Sequence, residues 1–202
     1  MQTILVTGFE PFVRYTENPT WACVNALPDS IHGIRIEKHR LPVEYDRCAQ
    51  MLEALLETYR PSAVLNLGLA GGSNCIVIER MGLNLQDSSM PDNAGTVRLN
   101  TLIRADGWDG YFTTLPHAAI KARLASADIQ VEYSTAPGFY VCNTAIYISQ
   151  YRAHVDMPGM RTGFMHLPLA DGQDEGMCTM PLEKLQCAVR LAVEVLAAYL
   201  NE

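Results

Sequence analysis

A thiol, an imidazole and a carboxylate can together cleave an acyl bond, and three positions of this chain hold them in restrictive settings. Cys142 stands in GFYVCNTAIYISQY (138–151), just after a glycine and a short aromatic and apolar run, where a helical pattern begins. Gly138 allows a sharp turn from strand to helix. At a helix N-terminus the free N–H groups and the macrodipole favour the thiolate, the reactive form of cysteine. The competing assignment is a core cysteine on a helix that also carries Ile146 and Ile148. The other five cysteines (Cys23, Cys48, Cys75, Cys178 and Cys187) form no CxxC pair or zinc-type cluster with it, so neither a disulfide framework nor a structural metal is expected. Most should be small buried hydrophobes.

A thiol nucleophile needs a base. His32, His39, His117 and His154 lie in turn, polar or charged contexts and read as solvated. His166, in GFMHLPL, falls near the end of an apolar strand before Pro168, either as a base or as a hydrogen-bonded structural residue. A third group should orient the imidazole. In CIVIERMGL, strand alternation puts Glu79 on one face with Cys75, Val77 and Met81, and a carboxylate there needs a partner. That partner is His166, or else Glu79 is ion-paired or on a solvent-facing edge.

The elements that must position these groups follow from punctuation and periodicity. TILVTGF (3–9) is a buried strand stopped by Gly8, and Asn18-Pro19 supplies a cap and a first helical residue. Strand 34–43, helix 44–60 stopped by Pro61, strand 63–70 and a long extended segment 75–85 come next. The stretch 84–109 is expected to be irregular and functional. A helix near 116–127, a strand near 129–135, the Cys142 helix, a strand 162–169 and a helix 182–200 complete the chain. Alternating strands and helices predict one α/β domain over residues 1–202, a sandwich with a largely parallel sheet between helical layers. Chemistry in such folds sits beyond the carboxyl ends of strands.

A net charge of −7 with scattered Lys and Arg argues against nucleic acid as the main partner. The absence of a long apolar run argues against a membrane span, and the N-terminus has no cationic stretch before its apolar one; a cytoplasmic protein is expected. GLAGG lacks the residues of a phosphate-binding loop or dinucleotide fingerprint.

Taken together, TGFEPF followed by NPT, then LGLAGG, ERMGLN, PDNAG, YVCN and GFMHLP resemble the pyroglutamyl peptidase I (pyrrolidone-carboxylate peptidase) family, in order over about residues 3–170. The resemblance implies a three-layer α/β/α sandwich of phosphorylase/hydrolase-like type with a twisted, largely parallel mixed sheet. It implies a thiol exopeptidase that removes N-terminal pyroglutamate, with Cys142 as nucleophile, His166 as base and Glu79 as orienting acid. Phe9 and Phe12 would sandwich the lactam ring, Asn18, Leu69 and Val141 would line the same pocket, and Met90 and Tyr140 would neighbour it. No cofactor or metal is implied; the partners are pyroglutamyl peptides and further copies of the chain, often as a tetramer.

Three positions depart from the family pattern. Leu69 replaces a usual Gln, Ser89 replaces an Arg thought to help stabilise the oxyanion, and PGF (137–139) stands where AGT is usual. The alternative is therefore a family member with weakened or redirected catalysis that still binds pyroglutamyl ligands. A nucleoside phosphorylase-like enzyme on a similar sandwich, and a structural domain with incidental Cys, His and Glu, are the other readings.

Overall fold

The computed structural model describes residues 2–13 and 15–202. The chain begins with β1 (Thr3–Phe9), α1 (Pro19–Asn25), β2 (Ser30–Ile31), β3 (Ile34–Leu41), α2 (Tyr45–Tyr59) and β4 (Ala63–Leu69). It continues through β5 (Ile76–Glu79), β6 (Met81–Leu83), β7 (Gln86–Ser88), β8 (Arg98–Thr101), β9 (Gly110–Phe112), α3 (His117–Ala125) and β10 (Val131–Ser134). Then come α4 (Val141–Val155), β11 (Arg161–Leu167), β12 (Leu169–Ala170), β13 (Thr179–Met180) and α5 (Leu182–Leu200).

Local chemistry accounts for these boundaries. The Asn18 side chain accepts from the Thr20 N–H and Pro19 opens α1. Helix α2 buries Tyr45, Cys48, Leu52, Leu55 and Leu56 along one stripe, then ends in a left-handed Arg60 before Pro61. Burying each such leucine contributes roughly 1.5–3 kcal/mol.

Among the described residues, seven strands form one mixed sheet in the order β10-β5-β11-β4-β1-β3-β2. The ladders β3/β1/β4/β11 are parallel; β5 joins β11 antiparallel, and β10 follows β5 in parallel. Residues of α1, α3 and α5 pack in one apolar cluster with Ile4, Val6, Leu65 and Leu67. Residues of α2 and α4 pack in another with Leu5, Val64 and Phe164. The α/β sandwich with a largely parallel mixed sheet is thus as expected from the sequence.

Two expectations are corrected. The extended segment 75–85 is not one strand: β5 ends at Glu79, and β6 leaves the main sheet to pair with β9. Simple alternation therefore does not carry Glu79's face on to Met81. The stretch 84–109 is not wholly irregular, since β7 and β8 pair antiparallel and the Asn84 side chain bonds the backbone of Arg104 and Gly107. This excursion covers α4, whose residues are buried nearly all round between the sheet, α2 and β6, β7 and β9.

Candidate active site

The site begins at the centre of the sheet. His166 on β11 pairs with Gly68 of β4 on one side and Val77 of β5 on the other, while Glu79 pairs with Phe164. Because opposed residues share a face and side chains alternate, Glu79 and His166 are diagonal neighbours on the same side. The His166 Nδ1–H donates to Glu79 Oε1 at 2.8 Å, in a position where both side chains are buried. The Phe164 ring meets the imidazole edge-on at 4.7 Å, fixing its plane.

Cys142 comes to this pair from above, as the second residue of α4. The turn before it requires Gly138, whose φ is +77°. Helix and sheet then meet at Gly68: a Cβ there would lie 3.0 Å from Cys142 Sγ and 2.5 Å from Phe164 Cζ. Only a residue without a side chain lets the thiol reach the imidazole. Burial works against a charge on His166, but hydrogen bonds to Cys142 and Glu79 outweigh it and raise its pKa to about 9. The imidazole therefore holds its proton at neutral pH. Cys142 also lies in the first helical turn, where N–H groups lack acceptors within the helix.

The other cysteines sort differently. Burial pushes Cys23 up to about 12 and raises Cys48 and Cys75, whereas Cys178 and Cys187 are exposed. Nor are the remaining histidines uniformly solvated. His39 is half-buried with its ring 5.3 Å from Tyr59, and burial lowers its pKa. His154 is exposed but lies against Trp108 at 4.2 Å. His117 is half-buried and bonded to Thr113 Oγ1 at 2.8 Å; burial, then Arg80, lower it to about 4. Only His32 is exposed as expected without such a ring contact among the described residues.

The expected pocket residues fall in different surroundings. Phe9, Phe12, Tyr140, Val141 and Cys142 belong to one apolar cluster, with the Phe12 and Tyr140 rings 6.3 Å apart. Asn18 acts on the loop carrying the phenylalanines: its Nδ2 donates to Glu10 O at 3.0 Å, and Thr20, which donates to Asn18 Oδ1, accepts from the Phe9 N–H. Phe9 and Asn18 also border a cleft of about 470 Å³ with Trp21, Arg40 and Asp171, away from Cys142. Leu69 shares the parity of Leu65 and Leu67, which pack on the α1, α3 and α5 side, so its side chain faces the opposite layer from Cys142. Met90 is 37% exposed. Its neighbour Pro91 is tied to the cluster because the Tyr140 hydroxyl donates to the Pro91 carbonyl at 2.9 Å.

Sequence reasoning missed Gly68, Phe164 and Asn143. Glycine in LGLAGG signals a turn or a close approach, but only the packing of α4 onto β4 distinguishes them.

The sequence pattern of the family described as Pyroglutamyl peptidase matches residues 2–199. The chain is 37% identical over 196 residues to the pyrrolidone-carboxylate peptidase of Lactobacillus helveticus, covering 96% of this chain and 98% of that one. It is 39% identical over 170 residues to that of Lactobacillus acidophilus, covering 84% and 85%. Among solved structures, the pyrrolidone carboxyl peptidase of Thermococcus litoralis superimposes with a TM-score of 0.95 at 31% identity, covering 100% of this chain and 96% of that one. Pyroglutamyl peptidase I of Bacillus amyloliquefaciens does so at 0.93 and 27%, covering 98% of each. With the matched segment spanning nearly its whole length, this chain belongs to the pyroglutamyl peptidase family of cysteine peptidases.

Proposed function

We propose that the chain removes N-terminal pyroglutamate from peptides by thiol catalysis, with Cys142 as nucleophile, His166 as acid and base, and Glu79 as the group that orients the imidazole. The observation that carries this reading is the buried His166–Glu79 hydrogen bond in a member of this family, with Cys142 Sγ packed over Gly68, the residue paired with His166. The sulfur attacks the pyroglutamyl carbonyl carbon, and the carbonyl electron pair moves to oxygen. The Cys142 N–H, in the first turn of α4, serves as a donor to that oxyanion. As the carbon–nitrogen bond breaks, the leaving amine takes the proton from His166. A water then gives a proton to His166 and adds to the thioester, expelling sulfur and releasing pyroglutamate.

The lactam is uncharged, so an apolar cradle of Phe9, Phe12, Tyr140 and Val141 suits it without a charged anchor. Leu69, facing the other layer, leaves only its backbone for this purpose. The substrate is thus an N-terminally pyroglutamylated peptide.

A second reading, a weakened or respecified peptidase, draws on Ser89, which is exposed and uncharged where an Arg is usual. The two separate in one assay: turnover of a pyroglutamyl chromogenic amide by wild type, Cys142→Ser and Ser89→Arg. Turnover that vanishes in Cys142→Ser and after iodoacetamide supports the thiol mechanism. Full activity in Cys142→Ser would refute it. An inert wild type that binds pyroglutamate and is awakened by Ser89→Arg would favour the second reading.

A further inference from the structure

We infer that Asn143, the residue after the proposed nucleophile, is a positioning residue that locks the helix carrying Cys142 to the chain carrying Glu79; the inference rests on the triad reading above. Asn143 is completely buried. Its Oδ1 accepts from the Leu83 N–H at 2.9 Å, and its Nδ2 donates to Leu83 O and Leu85 O, each at 2.8 Å. Both amide hydrogens and the carbonyl are therefore engaged. By taking the N–H and the C=O of Leu83 together, the carboxamide does what the backbone of an adjacent strand would do.

The segment it grips needs such a partner. After Glu79 the chain leaves the main sheet, so no ladder of that sheet holds 81–86 in register with β11. Two neighbours on α4 extend the grip: Thr144 Oγ1 accepts from Gln86 Nε2 at 2.9 Å, and Gln150 Oε1 accepts from the Gly82 N–H at 3.1 Å. At Gly82 a Cβ would stand 2.9 Å from the Tyr147 backbone nitrogen, so strand and helix touch directly. Asn143 is the bond set nearest the thiol. Leu83 is four residues from Glu79, and Glu79 is fixed to His166 by the β5/β11 ladder and by its carboxylate. Acid, imidazole and sulfur are thereby placed by one closed circuit: β11, β5, β6, Asn143, Cys142. Opening it at Asn143 frees the first turn of α4 to move relative to the imidazole. Asp in that position keeps the shape and the acceptor but loses both donors to Leu83 O and Leu85 O.

The test uses the full chain with Asn143→Ala and Asn143→Asp, following kcat, KM, thermal stability and the titration of the His166 ring by NMR. The expected result is a ~10–100-fold loss in kcat, the scale of a displacement of about 1 Å, with KM little changed. The His166 midpoint should fall from about 9, because a lengthened thiol–imidazole hydrogen bond no longer helps raise it. Where Asn143→Ala does not fold, Asn143→Asp carries the kcat and KM outcomes, while its added negative charge acts on the His166 midpoint in the opposite sense, upward. Variants that melt earlier yet keep wild-type kcat, KM and His166 titration would overturn the proposal and leave Asn143 purely structural. Should wild type fail to hydrolyse the pyroglutamyl amide, the function proposed above falls, while the His166 titration still decides the positioning role.

Discussion

An imidazole enclosed by protein should lose its proton more easily than in water, yet His166 is shifted the other way, to about 9. The cause lies in its two partners, the thiol and the Glu79 carboxylate. Replacing Glu79 by Gln keeps the shape and removes the charge that stabilises the imidazolium. The His166 pKa should then fall, so the alkaline limb of the pH–rate profile moves from near 9 to lower pH, and kcat/KM drops by ~10²–10⁴-fold. Rates of pyroglutamyl amide hydrolysis between pH 5 and 10 measure both effects. A limb that stays in place would show that the carboxylate does not control this proton. These three residues were legible from type and setting: a thiol at a helix start, a histidine on an apolar strand, a carboxylate with no business on one. Gly68 was not, because its necessity comes from a sulfur 74 positions away in the chain.

At the scale of elements, the site depends on loops that borrow their order from one another. Glu44 caps α2 without a side-chain hydrogen bond, and the buried Asp92 supplies the missing acceptor: its Oδ2 takes the Tyr45 N–H at 2.9 Å. Its Oδ1 takes the N–H groups of Ala94 and Thr96, closing the turn of PDNAG. Next to it, Asn93 donates to Glu10 Oε1 and to Pro11 O, while Glu10 accepts from the Val43 N–H. The loop bearing Phe12, the start of α2 and the 90–96 turn are thus one assembly around Tyr140. Asp92→Ala should cost about 1–2 kcal/mol of stability, as loss of a cap does. It should also raise KM for the pyroglutamyl amide more than it lowers kcat, since the thiol, imidazole and Glu79 are untouched. Denaturant melts and a KM-against-kcat comparison check this; a fall in kcat at constant KM would contradict the assignment. The helices and most main-sheet strands could be read from Pro, Gly and apolar periodicity, because those signals are local. The break at Arg80, the antiparallel entry of β5 and the 84–109 ordering could not. They arise from pairings such as Asn84 with Arg104 and Asn143 with Leu83, which no local pattern encodes.

For the whole molecule, the buried polar groups also set a response to acid. The Thr113 hydroxyl donates its hydrogen to the Glu79 backbone oxygen at 2.9 Å, so at His117 the ring Nε2–H must be the donor to Thr113 Oγ1. Burial and the nearby Arg80 charge then hold His117 neutral down to about 4, against an ordinary value of 6.5. Below 6.5 the unfolded chain binds a proton that the folded chain refuses, so this residue's contribution is intact above 6.5 and is lost as pH falls toward 4. His39, also held down by burial, acts in the same direction. Asp106 and Asp156, lowered by Arg104 and Arg152, lose their contributions only below the ordinary carboxylate value of 3.8. The interval from 6.5 to 4 is therefore a histidine interval, and His117→Gln tests it. Glutamine can keep the donor to Thr113 but cannot titrate. The variant should match wild type near pH 7 and melt about 2–4 °C higher at pH 4.5, the change that ~1 kcal/mol produces in a chain of this size. Because His39 remains, part of the acid slope should persist in the variant. Melting curves from pH 4 to 7 decide the matter, and identical acid slopes for wild type and His117→Gln would mean that His117 takes up its proton without unfolding cost.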